Sequence, residues 1–140
     1  MNNGHGIMVS FKKFKRQFQT KYSHYTRAQL SELIPHYYLN INIIQFLLKK
    51  GAQWNDTNSR IMFRYIDEKQ FEYINRLYRW FHCPITSEMV DRLYQYFDYK
   101  TKRYVKTIKN LLYMWKDWFL ENDCSPYPKF EAVKQNWIKN

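Results

Sequence analysis

Apolar residues recur every three or four positions along almost the whole chain, and only three glycines and four prolines interrupt them. That period matches an α-helix, so the chain is expected to bury one stripe of each of several short helices. Ser10 is placed to cap a first helix with Phe11, Phe14, Phe18 and Tyr22 on one face. Thr26 is placed to cap a second, carrying Leu30 and Leu33 and stopped by Pro35. A third runs from about Leu39 to Lys50 and ends at Gly51. Asp67 reads as the opening of a helix with Phe71, Ile74, Tyr78 and Phe81, closed by Pro84. Thr86 caps another with Val90, Leu93 and Phe97; a long helix from about Thr101 to Glu121 and a short one with Phe130, Val133 and Trp137 complete the set. The one β signal is Arg60-Ile61-Met62-Phe63-Arg64-Tyr65-Ile66, which reads as a strand or hairpin arm.

With 140 residues the chain can bury one core, or two small ones sharing an interface. We expect a basic N-terminal helix or arm over 1–24, a helical unit with the hairpin over 25–82, and a second helical unit over 83–140 packed on it. Leu30, Leu33, Ile44 and Leu47 follow Thr26 much as Val90, Leu93, Val105 and Ile108 follow Thr86, a faint sign of a duplicated helix pair. Two distant cysteines, Cys83 and Cys124, suggest neither a disulfide framework nor a zinc module and point to a reducing cytoplasm. Met1 to Ser10 lacks the apolar core of a signal peptide, and no apolar run is long enough to span a bilayer.

Charge is the strongest functional signal. The formal net charge is +11, an excess that repels itself unless a polyanion uses it. Before the first acidic residue, Glu32, stand Lys12, Lys13, Lys15, Arg16, Lys21 and Arg27. A second acid-free stretch, from Tyr99 to Lys116, holds Lys100, Lys102, Arg103, Lys106, Lys109 and Lys116. At about 100° per residue, Lys102, Lys106, Lys109, Tyr113 and Lys116 form one stripe, and Val105, Ile108, Leu112, Trp115 and Phe119 form another. Cations in a row neutralise successive phosphates, giving affinity without sequence information. Aromatic abundance carries less weight. Lys, Asn, Ile, Tyr and Phe rise together while Ala and Gly are scarce, the skew of an AT-rich genome, so most rings are read as core.

A helix-turn-helix needs a short first helix, a tight turn and a second helix whose polar face enters the major groove. Thr26-Arg27-Ala28-Gln29-Leu30-Ser31-Glu32-Leu33 suits the first helix, with the small Ser31 at the close approach. Asn40 to Lys50 suits the second, with Asn42, Gln45 and Lys49 outward; Asn and Gln pair with adenine, and Lys reaches guanine or phosphate. On these residues the run from Tyr25 to Tyr73 resembles the excisionase and MerR-like winged helix-turn-helix family. The resemblance implies a recognition helix in the major groove, and a wing strand bringing Arg60 or Arg64 to the backbone or minor groove. The connection through Pro35-His36-Tyr37-Tyr38 departs from the family in lacking a glycine. Ile85 to Trp115 also looks like a generic helix-turn-helix, although Asp91 stands where a small residue is usual. Separately, Asn42 to Ala52 looks like the second half of an ankyrin repeat, without a further copy at the period such arrays need.

The fold class expected is therefore mainly α: a helix-turn-helix bundle with one small β-hairpin wing, a second tandem unit being the open alternative. No Gly-rich phosphate loop or metalloprotease motif occurs, and neither His82 beside Cys83 nor the Glu68/Glu72 pair has the setting of a catalytic group. No enzyme, cofactor or metal site is expected. The expected partner is duplex DNA of a phage or mobile element, bound by an excisionase, repressor or replication accessory. A helical adaptor for an acidic protein is the alternative, a sequence-blind RNA binder the third reading, and a homodimer is left open.

Overall fold

The computed structural model describes residues 9–98 and 105–139. Among them are nine α-helices and no strand, so the chain is mainly α, and it divides into two compact units, Met1–Pro84 and Ile85–Asn140.

In the first unit, α1 (Phe11–Lys21) is capped by Ser10, whose side chain accepts from the Lys13 amide at 3.1 Å. It buries Phe14 and Phe18. α2 (Arg27–Leu33) starts in a capping box between Thr26 and Gln29, and α3 (Ile41–Lys49) is capped by Asn40. The link between α2 and α3 is a 3-10 turn, Ile34–Tyr37, that buries Ile34 and Tyr37 and is followed by the buried Tyr38. It is part of the core, not a tight surface turn. Side by side, α1 and α3 run in the same sense: Asn40 Nδ2 donates to the Val9 carbonyl at one end, and the Lys50 ammonium lies 5.9 Å from the Phe18 ring at the other. Between these ends the Phe46 ring meets Phe11, Phe14 and Phe18 at 5.1–5.9 Å.

The segment expected to be a wing strand is helical. A 3-10 turn, Asn58–Arg60, leads into α4 (Ile61–Asp67), which buries Ile61, Met62, Phe63, Tyr65 and Ile66. A short apolar run buried on most sides has no period to separate strand from helix, and here burial on several sides of a helix satisfies it. Asp67 accordingly ends α4, and the following helix, α5 (Phe71–Arg79), starts four residues later than expected.

Two helices end in the same geometry. After α3, the Ala52 amide bonds the Leu47 carbonyl at 3.0 Å and the Gly51 amide bonds Leu48 at 3.2 Å; after α4, Gln70 bonds Tyr65 at 2.8 Å and Lys69 bonds Ile66 at 3.1 Å. Both are Schellman caps, which need one residue with positive φ: Gly51 at 115° and Lys69 at 59°. His82, at 59°, plays a similar part after α5, where the Cys83 amide bonds Leu77 at 2.9 Å.

The loop from α3 to α4 is held by Asn58, which is 1% exposed. Its Nδ2 donates to the carbonyls of Ser31, at 3.1 Å, and Gln53, at 2.8 Å, while its Oδ1 accepts from the Asn55 amide at 2.8 Å. Ser31 is buried too, and its hydroxyl accepts from the Gln53 amide at 2.8 Å. The small residue expected at a helix crossing thus serves as a hydrogen-bonding post.

The second unit holds α6 (Ser87–Asp98), α7 (Val105–Met114), α8 (Lys116–Glu121) and α9 (Pro128–Lys139). The long helix expected to run to Glu121 breaks at Trp115, where ψ rises to 16° before α8 resumes. Ile108, Leu112, Trp115 and Phe119 are buried, and the Phe130 ring packs on Tyr94, Phe119 and Tyr127.

Asn58→Ala is expected to lower folding stability by about 2–4 kcal/mol, because it orphans buried carbonyls and an amide together. His82→Gly should instead raise it by about 0.5–1 kcal/mol, since the left-handed conformation at this exposed position is costly only for a residue with a side chain. Urea denaturation reads both. Equal effects of the two substitutions would refute the roles given to these residues.

Candidate nucleic-acid interface

Lys12, Lys13, Lys15 and Arg16 are all exposed on α1: Lys12 and Arg16 stand opposite Phe14 and Phe18, with Lys13 on one flank and Lys15 on the other. The phenyl face anchors the helix and thereby fixes where the cations point. Among the described residues no carboxylate lies within 4.0 Å of any of these four, nor of Lys21, Lys49 or Lys50. The Lys15 ammonium stands 5.2 Å from the Phe11 ring, that of Lys21 5.3 Å from Tyr22 and that of Lys50 5.3 Å from Phe46, so rings steady three of the cations without neutralising them. Over residues 1–84 thirteen Lys and Arg face five Asp and Glu, against ten and seven over 85–140. Most of the net charge therefore belongs to the first unit.

On α3, Asn42 and Lys49 are exposed and Gln45 is half-buried. The three fall within roughly 60° of one another around the helix, next to the position of Phe46, against which α1 rests. The polar stripe of α3 thus neighbours the cationic helix.

The two arginines assigned to a wing have other surroundings. Arg60 is exposed, with its guanidinium 4.7 Å from the Phe63 ring. Arg64 is half-buried on α4: it lies 3.9 Å over the Tyr38 ring, donates to the Tyr38 hydroxyl at 2.9 Å and pairs with Glu68 at 3.8 Å. Tyr38 in turn donates to Glu68 at 3.0 Å. Burial, reinforced by that carboxylate, raises the Tyr38 phenol above its ordinary value. Arg64 is committed to this cluster, and the wing strand that would have freed it is not formed.

In the second unit Lys106, Lys109 and Tyr113 are exposed on α7, while Lys116, half-buried, begins α8 beyond the break. Its ammonium lies 5.7 Å from the Tyr113 ring. Among the described residues no carboxylate lies within 4.0 Å of these three lysines. Lys100, Lys102 and Arg103 lie outside the described residues. The row of cations is therefore interrupted at Trp115 and does not lie along one rod. Beside these cations lies a groove whose lining includes Tyr113 and Trp137, and its one signal in the sequence is a tyrosine standing among lysines in the polar stripe.

Burial pushes the thiols of Cys83 and Cys124 up, so both stay protonated at neutral pH. The described residues bring together no group of three or more His, Cys, Asp or Glu able to hold a metal ion, and none of their helices is long and apolar enough to cross a membrane. No family model, curated protein or solved structure matches this chain.

Arg64→Ala is expected to lower stability by about 1–2 kcal/mol through loss of the ring contact and the Tyr38 hydrogen bond. Unchanged denaturation of this variant would return Arg64 to the pool of uncommitted cations.

Proposed function

We propose that the chain binds nucleic acid, duplex DNA first, through the backbone-facing cations of α1. One observation carries the reading: Lys12, Lys13, Lys15 and Arg16 are exposed on a helix pinned by its phenyl face, with no described carboxylate to neutralise them. Phosphates would displace counterions from the duplex at these positions. Asn42, Gln45 and Lys49, on the adjoining helix, are the side chains suited to base edges, with Lys106, Lys109 and Lys116 as further phosphate contacts. Without a wing and with a buried 3-10 link, the α2–α3 pair departs from winged helix-turn-helix proteins, so the reading rests on charge more than on motif.

A second reading, the helical adaptor for an acidic protein, is favoured by the same exposed cations of α1, which no described carboxylate neutralises. An acidic chain would meet the same α1 surface.

Fluorescence anisotropy with a mixed-sequence duplex, between about 50 and 200 mM salt, tests the proposal. Each phosphate contact contributes about 0.9 to the slope of log affinity against log salt. Changing Lys12, Lys13, Lys15 and Arg16 to Gln is therefore expected to reduce that slope by about 3–4 and weaken all sequences alike, whereas Asn42→Ala relaxes sequence preference. Salt-independent binding, or binding to polyglutamate as tight as to the duplex, would sink the first reading.

A further inference from the structure

A groove of about 430 Å³ opens in the second unit between α7 and α9. Tyr94 and Leu112, both buried, contribute its floor; Tyr113 and Trp137 flank it, with ring centroids 6.0 Å apart and planes at 74°. Lys109, Val133 and Asn136 complete the lining. No carboxylate lines it.

Two features restrict what such a space would take. Its size falls within the range of small-ligand sites, and its walls are mostly apolar, with the rings of Tyr94, Tyr113 and Trp137 beside the aliphatic Leu112 and Val133, so the part of the ligand that enters should be apolar and able to lie against a ring. The flank is cationic: Lys106 and Lys109 stand on the exposed side of α7, and Lys116 lies against the Tyr113 ring, none of them paired with a described carboxylate. A fatty acid would need one cation for its single headgroup and would gain nothing from the others. A chain that alternates flat rings with anions would use both the rings and the several cations around them.

Tyr113 is unusual among the rings of this unit. It is 60% exposed, more than Tyr127 at 43%, whereas Tyr94, Trp115, Phe119 and Phe130 are buried. A tyrosine so placed contributes little to the core and presents its ring to whatever enters the groove. A ring beside a line of cations is the arrangement with which proteins hold single strands: bases stack, and phosphates meet ammonium groups.

We infer that this groove accepts an unpaired nucleobase of a single-stranded nucleic acid, stacked on the exposed Tyr113 ring with its edge toward Trp137, and with its phosphates on Lys106, Lys109 and Lys116. The site rests on the reading of the chain as a nucleic-acid binder, but it adds a preference for unpaired bases that the α1 cations alone do not confer.

The test compares, on the full chain, an oligothymidylate of about a dozen nucleotides with a strand of equal length whose sugars carry no bases. Both present the same phosphates. Oligothymidylate is expected to bind about ten-fold more tightly or better, Tyr113→Ala to bring the ratio close to one, and Tyr113→Phe to keep it. Because Tyr113 is exposed, the variant should retain its circular dichroism and melting temperature, which separates loss of the site from loss of the fold. The Lys12, Lys13, Lys15 and Arg16 to Gln variant should weaken both strands by the same factor. Equal affinity of the two strands, or a ratio unchanged by Tyr113→Ala, overturns the base site and leaves the phosphate reading standing. Failure of both strands and of duplex DNA to bind at low salt overturns both.

Discussion

The first unit depends on a buried amide. Asn58 sits where the chain leaves the α2–α3 pair and enters α4, in a loop whose backbone groups have no helix to satisfy them. By bonding Ser31, Gln53 and Asn55 at once, its side chain lets that loop be buried without orphaned polar groups. With the loop fixed, α4 can bury its apolar residues on several sides, and the Tyr38 cluster with Arg64 and Glu68 closes over it. Removing the amide would not merely delete three hydrogen bonds; it would leave the second pair of helices without a fixed point of entry.

The cations depend on packing in a different way. A lysine on a mobile segment contributes charge but not position, whereas on α1 the contacts of Phe14 and Phe18 with Tyr37 and Phe46 hold the opposite face toward solvent. Aromatic residues therefore serve as foundations here, and only a few, Trp80 and Tyr113 above all, are left accessible. The same unit that carries most of the net charge also commits some of its basic groups to structure, as Arg64 shows and as the ion pair of Arg76 with Glu72 at 2.7 Å repeats. Counting charges along the chain cannot separate these two populations. Only the location of the nearest carboxylate or phenol does.

The helix ends explain why some boundaries were legible and others were not. Gly51 announces the end of α3 because only glycine adopts a φ of 115° without cost, and here a Cβ would also stand 3.3 Å from the Arg27 side chain. The end of α4 uses the same cap with a lysine in the left-handed position, and nothing in a lysine signals that conformation. Sequence spacing therefore misplaces this boundary, and the apolar run before it has the look of a strand. The break at Trp115 has a similar origin: the apolar stripe continues through it from Leu112 to Phe119, so the period alone shows no interruption.

By itself the sequence determined that the chain is helical, which faces are buried, where Ser10, Thr26 and Asn40 start their helices, and that basic residues gather in stretches free of acid. These are properties of neighbours along one helix, where spacing and local hydrogen bonds decide the outcome. Tertiary structure decided what required partners far apart in the chain: that Arg60 to Ile66 is helix, that Arg64 is held by Tyr38 and Glu68, and that Tyr113 and Trp137 share a groove. A residue's period shows which way it faces on its own helix; what it faces depends on how the other helices pack.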